Sequence, residues 1–361
     1  FMRCVYQGLC WGKDDEDCKQ NLAKNLFFLE KGCKLNIGRA CLDLAETLKA
    51  MDSTSSHETQ IVSLQKKGES LLDQSCKEKK DATACSELGL YYWGKSAAGT
   101  VQAISFYKLG CELGDGNACA VVAFSSAVSK HELELFVEFS EKACWAKDPE
   151  SISCRDLGVL HENGTINSLF TNASFKHRVP LSYPKALHFY SRACKLQDGD
   201  GCSYLGMLYQ HGRGVNESWD KALSFYKAGC DFKSGWSCSN AAWLLSQPRV
   251  EKYLCIPEAA QKGECSLTNH TINQSPDKAA EFYSRACQLN YAAGCNNLGI
   301  YFHTGFGVTK SDELAKQYFQ QSENLTKRET ATTNNSKASK GSASSLIKTT
   351  VSFFLKIFTG R

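Results

Sequence analysis

The chain has no run of the roughly 18 apolar residues that a membrane-spanning helix needs, so no segment reads as a transmembrane helix. Its opening residues, Phe1-Met2-Arg3-Cys4, show neither the basic n-region nor the apolar h-region of a secretory signal. Basic excess is missing from the body as well. The formal net charge is +4, but Lys327, Arg328, Lys337, Lys340, Lys348, Lys356 and Arg361 face only Glu329 after residue 326. What precedes them is slightly acidic, which argues against a nucleic-acid partner. Zinc-type C-x2-4-C pairs are absent and the histidines follow no matching period, so no metal site is expected. Gly-x-Gly occurs at Gly212/Gly214 and Gly305/Gly307, but without the preceding strand that phosphate binding requires. No cofactor is expected either.

Cysteine, in contrast, is abundant: the chain has 19. Cys33/Cys41, Cys111/Cys119, Cys194/Cys202, Cys230/Cys238 and Cys287/Cys295 all read C-x7-C, and Cys76/Cys85 and Cys144/Cys154 stretch the gap by one or two residues. The first cysteine of each pair closes an aromatic-rich segment. Turn formers such as Gly114-Asp115-Gly116-Asn117 follow, and the second cysteine opens the next segment. Two antiparallel helices joined this way bring their cysteines within the 4.4–6.8 Å Cα separation that a disulfide needs. Structural zinc is the competing reading, and the spacing disfavours it. A loop this short limits the entropic gain to roughly 2.5 kcal/mol per bridge, so no single bridge dominates stability. Cys255–Cys265 reads as a further clip and Cys10–Cys18 extends the spacing to the N-terminus, leaving Cys4 as the free thiol. Pairing on this scale belongs to an oxidising compartment.

Counted between second cysteines, the uninterrupted units run Cys85–Cys119, Cys119–Cys154 and Cys202–Cys238, a period of about 35 residues that fits a helix–turn–helix repeat. One helix carries Leu88-Gly89-Leu90-Tyr91, Leu205-Gly206-Met207-Leu208-Tyr209 or Leu298-Gly299-Ile300-Tyr301; its partner carries Ala-x-x-Phe-Tyr, as at Ala103–Tyr107, Ala186–Tyr190, Ala222–Tyr226 and Ala279–Tyr283. Glycine in mid-helix costs about 1 kcal/mol relative to alanine. Its recurrence therefore marks close packing between paired helices, with the aromatic rings in the core. The expected fold is an all-α solenoid of such repeats over residues 41–323, with insertions near 165–182 and 247–275. Residues 1–41 form a cysteine-rich segment and truncated first repeat. The polar stretch 324–344 reads as a flexible linker. Residues 345–361 read as a basic amphipathic helix that would touch a membrane surface or partner through Ile347, Val351, Phe354 and Phe358.

The unit Cys-x-x-Leu-Gly-x-x-Tyr-x-x-Gly-x-Gly-Val followed by Ala-x-x-Phe-Tyr-x-x-Ala-Cys resembles the Sel-1-like (TPR-like) repeat. Its regular cysteine pairs resemble those of the cysteine-rich Hcp beta-lactamase-like family. Cys4-Val5-Tyr6-Gln7-Gly8-Leu9-Cys10, then Asp14-Asp15-Glu16-Asp17-Cys18, resembles the opening of that family's mitochondrial branch, although the first cysteine pair is spaced more tightly there. The resemblance implies a protein of the mitochondrial intermembrane space that supports assembly of respiratory chain complexes, cytochrome c oxidase among them. Its partners would then be respiratory-complex subunits or other assembly factors.

Three functions follow. The first is a non-catalytic scaffold offering an extended repeat surface to protein partners. The second is a hydrolase of beta-lactamase type. Ser105/Lys108, Ser224/Lys227 and Ser345/Lys348 supply S-x-x-K, but S-D-N and K-T-G are missing and the first two pairs recur with the repeat, so no catalytic residue is assigned. The third is a secreted or endoplasmic-reticulum adaptor, for which glycosylation sequons stand at Asn163, Asn172, Asn216, Asn269, Asn273, Asn324 and Asn334.

Overall fold

The computed structural model describes residues 16–51, 57–128, 133–164, 179–247, 251–254, 266–269 and 272–338. They divide into two compact units, one ending at Pro149 and the other beginning at Glu150. In the first unit the helices are α1 (Glu16–Lys34), α2 (Gly38–Met51), α3 (Glu58–Lys77), α4 (Ala82–Tyr92), α5 (Ala97–Glu112), α6 (Gly116–Val128) and α7 (Leu133–Trp145). The second holds α8 (Ser151–Asn163), α9 (Tyr183–Lys195), α10 (Gly199–His211), α11 (Trp219–Asp231) and α12 (Gly235–Ser246). A two-stranded hairpin, β1 (Glu251–Leu254) and β2 (Ser266–Asn269), follows, then α13 (Pro276–Gln288), α14 (Ala292–Thr304) and α15 (Asp312–Ala338). Within each unit every helix packs on the next in sequence, so the fold is an all-α repeat solenoid of helix pairs. The boundary between the two units falls in the turn between Cys144 and Cys154, which is two residues longer than the C-x7-C turns.

The cysteine spacing has a stereochemical cause visible turn by turn. Helix α9 ends in a Schellman motif: the Asp198 N–H donates to the Ala193 carbonyl at 3.0 Å and the Gln197 N–H to the Cys194 carbonyl at 3.0 Å. Gln197 takes the left-handed conformation (φ 64°) that this motif demands. Asp198 at once becomes the N-cap of α10, its carboxylate accepting from the Gly201 N–H at 2.6 Å. One cysteine thus stands on the last turn of a helix and the other on the first turn of its successor, with no spare residue between the motifs. The Cα atoms of Cys194 and Cys202 end 4.5 Å apart. The pattern repeats through Asn36, Gly114, Lys233 and Asn290, all with positive φ, and unites Cys33 with Cys41, Cys111 with Cys119, Cys230 with Cys238 and Cys287 with Cys295. Cys76 and Cys85 accommodate one extra residue before Lys80 (φ 54°), and their Cα atoms remain 4.8 Å apart. Cys144 and Cys154 are both disulfide-bonded.

In the helix pairs that carry the recurrent glycine, it makes room for a ring. A Cβ on Gly89 would lie 2.9 Å from the Tyr107 ring, one on Gly206 2.6 Å from Tyr226, and one on Gly299 2.7 Å from Phe319. Tyr107, Tyr190 and Tyr226 are accordingly buried.

Insertions leave this frame intact because a fixed clamp closes beneath them. The N–H of four serines at the start of a second helix donates to a carbonyl near the end of the first: Ser182 to His161, Ser218 to Tyr209, Ser275 to Leu245 and Ser311 to Phe302, each at 2.8 Å. The segment beneath the first insertion is further closed by Val179 N–H on the Gly164 carbonyl at 3.1 Å. The second insertion contributes the antiparallel hairpin, Glu251 opposite Asn269 through Leu254 opposite Ser266. It is the one strand pair among the described residues of an otherwise helical fold.

At the N-terminus Cys18 and Cys33 stand on one continuous helix, α1, with no turn between them. One expectation at the other end needs correction. The stretch expected as a flexible linker from 324 is helical as far as Ala338, because Asp312–Ala338 contains no glycine or proline to stop propagation. Lys327 pairs with Glu323 at 2.7 Å along it. Residues 345–361, expected as an amphipathic helix, lie outside the described residues.

Candidate protein-binding surface

The residue seven places after the second cysteine of a pair is aromatic in four repeats, and it meets the Phe or Tyr of the Ala-x-x-Phe-Tyr helix face to face. Tyr92 stacks on Phe106 with ring centroids 5.7 Å apart and planes 7° apart; His161 stacks on Phe189 at 5.6 Å and 3°. Tyr209 stacks on Phe225 at 5.4 Å and 24°, and Phe302 on Tyr318 at 5.5 Å and 7°. The pairs at Tyr209 and Phe302 are only partly buried, so ring surface remains open to a partner. Lys221 Nζ lies 5.3 Å from the Tyr209 ring and Lys77 Nζ 5.8 Å from that of Phe106, which adds cation–π contacts. Four repeats therefore carry a stacked aromatic pair at the same place in their helix pairs. The sequence places these rings in the core; their stacking and partial exposure follow only from the facing helices.

Behind the His161 pair, Tyr190 donates its hydroxyl to Glu162 at 2.8 Å, and Arg213 donates to the other carboxylate oxygen at 3.1 Å. Burial and the Glu162 carboxylate drive the Tyr190 phenol far above its usual range. This is a satisfied network that locks two repeats together.

The second unit also carries a cleft of about 550 Å³ beside two consecutive turns. Tyr204, Trp236 and Tyr291 supply its apolar walls and Asp200 its carboxylate. Tyr204 stacks on Tyr190 (4.9 Å, 7°) and meets Trp236 edge-on (4.9 Å, 76°). Asp200 accepts from the Ser234 hydroxyl at 2.7 Å and lies 3.7 Å from Arg155, which is also 3.3 Å from Asp198 and 3.6 Å from Asp156. Three carboxylates thus share one guanidinium. Burial, opposed by Arg155 and reinforced by Asp198, raises Asp156 from its ordinary 3.8 to about 6. Nothing in the sequence marks this cleft, because its aromatics occupy non-equivalent places in their repeats.

Among the described residues no group of histidine, cysteine or carboxylate side chains is arranged to hold a metal ion. The two S-x-x-K serines within the described region turn back on their own helices: Ser105 donates to the Gln102 carbonyl and Ser224 to that of Lys221, each at 2.7 Å. Ser345/Lys348, Cys4, Cys10, Cys255 and Cys265 lie outside the described residues, and of Cys18 only the backbone in α1 is described. Asn163, Asn216, Asn273 and Asn324 are exposed. No helix among the described residues is long and apolar enough to cross a membrane.

Disulfide-joined helix pairs presenting a repeated surface define a helical-repeat protein of the protein-binding kind. The Sel1 repeat model matches residues 82–115, 176–198, 199–231, 265–291 and 292–325, so these stretches are Sel1 repeats and the fold is a Sel1-like repeat solenoid. No curated protein matches it. Among solved structures, a protective antigen of uropathogenic Escherichia coli strains displaying an SLR fold is similar over 82% of this chain and 63% of its own (16% identity, TM-score 0.50). A Sel1 repeat protein from Oxalobacter formigenes is similar over 75% of this chain and 97% of its own (17% identity, TM-score 0.47). Helicobacter pylori cysteine rich protein B is similar over 39% of this chain and 86% of its own (25% identity, TM-score 0.27).

Proposed function

We propose that the chain is a non-catalytic scaffold that holds protein partners on its repeat surface within an oxidising compartment. The observation that carries this is the recurrence of partly buried stacked aromatic pairs on helix pairs joined by disulfides. The N-terminal cysteine and acidic pattern extends the reading to the mitochondrial intermembrane space and to assembly of respiratory chain complexes. Fractionation of cells producing the tagged native chain tests the extension. It should be protected from protease in intact mitochondria, exposed when the outer membrane is ruptured, and oxidised. Recovery with secretory membranes would contradict it.

One observation favours a second reading, a secreted or endoplasmic-reticulum adaptor. Asn216 and Asn273 are exposed and stand two residues before the N-cap serines Ser218 and Ser275 of equivalent helices, so two sequons fall at the same place in their repeats. A loss of apparent mass on treating the native chain with an N-glycosidase would establish this reading, and unchanged mobility would dismiss it.

A further inference from the structure

The scaffold reading leaves the chemistry of the partner open, and the cleft beside α10 and α12 narrows it. Two of its walls, Tyr204 and Trp236, are half-buried rings set nearly at right angles, a corner that offers a π face to an incoming group. Asp200 stands at this corner with its side chain 49% exposed, whereas Asp198 beside it is 7% exposed and paired with Arg155. Arg155 is shared among Asp156, Asp198 and Asp200, so the group keeps an excess of negative charge. Ser234 holds the Asp200 carboxylate in place by donating to one oxygen. Besides Arg155, the cationic side chain that lines the cleft is Lys233, which is exposed. Aromatic faces with an under-neutralised carboxylate form a cation receptor, and cation–π attraction is strongest on tryptophan.

We infer that this cleft receives an arginine or lysine side chain from an exposed segment of a protein partner, with the cation against Tyr204 and Trp236 and Asp200 as its counter-ion. The inference rests on the scaffold reading and names the chemistry of what the scaffold holds. Lys233 would compete with the incoming cation from the rim.

Calorimetric titration of the oxidised full chain with the acetylated, amidated peptide Gly-Ser-Arg-Ser-Gly tests it, with citrulline in place of arginine as the neutral isostere. The arginine peptide should bind and the citrulline peptide should not. Asp200→Asn, which keeps the acceptor for Ser234 and removes the charge, should weaken binding about tenfold, the scale of a charge-assisted contact. Trp236→Leu should weaken it too, Lys233→Ala should tighten it, and Glu313→Gln, on α15, should leave it unchanged. Equal binding of the two peptides, no binding of either, or an unaltered Asp200→Asn variant would overturn the inference. Cross-linking in cells separates this from the scaffold reading. A partner captured equally by wild type and Asp200→Asn overturns the cleft and keeps the scaffold, whereas the absence of any captured partner overturns the scaffold while the titration still decides the cleft.

Discussion

Gly206 shows how a single hydrogen atom governs a repeat. Alanine there would gain about 1 kcal/mol of helix propensity, yet its Cβ would lie 2.6 Å from the Tyr226 ring. That ring cannot retreat, because its hydroxyl is tied to Gln210 at 2.7 Å. Overpacking of this kind costs about 1–3 kcal/mol, so Gly206→Ala should lower the urea midpoint despite the better propensity. Gln197 presents the opposite case. It holds a left-handed conformation that a side chain disfavours by about 1–2 kcal/mol. Gln197→Gly should therefore stabilise the chain by about 0.5–1 kcal/mol once glycine's own entropy is counted. Asn290→Gly, at the equivalent place, should change it less because asparagine tolerates that conformation.

Asp156 adds a pH dependence. Its carboxyl titrates near 6 in the folded chain, against 3.8 ordinarily, so the charged form is disfavoured by folding. The stability it contributes is full below pH 3.8 and is lost as the pH rises through 6. Asp156→Asn should therefore be more stable than wild type at pH 7, by about 1 kcal/mol after allowance for solvent screening. The advantage should shrink to nothing as the pH falls from 6 to 3.8 in paired denaturation curves.

At the scale of the element, the unit of construction is the turn that ends one helix and starts the next. Closing so short a loop contributes roughly 2.5 kcal/mol. Replacing Cys194 and Cys202 together by serine should accordingly lower stability by about 2–3 kcal/mol without changing the helical circular dichroism. Much of this construction is legible in the sequence, since the C-x7-C spacing encodes the Schellman turn and N-cap in a fixed number of residues. The helix-pair glycine is legible for the same reason: its cost in propensity demands a packing cause. Continuity was harder to read. The Asn- and Thr-rich run after 324 looks like a linker by composition, but α15 extends through it because no residue there breaks a helix. The hairpin within the second insertion has too few residues to set a clear alternation. The cleft was invisible, because Asp200, Trp236 and Tyr291 meet only through the stacking of separate turns.

For the whole molecule, the disulfides join successive repeats and point to an oxidising compartment. Each bridge links the second helix of one repeat to the first helix of the next, so reduction loosens the register between repeats while each helix pair keeps its own packing. A partner surface spread over several repeats would lose its spacing first. A scaffold built this way needs these bonds in the native protein where it works. The decisive measurement is non-reducing peptide mapping of the chain taken from its natural cells after immediate alkylation of free thiols. It should recover Cys111 joined to Cys119, Cys194 to Cys202, Cys230 to Cys238 and Cys287 to Cys295, each free of alkylation. Recovery of the same cysteines as alkylated monothiol peptides would contradict the account.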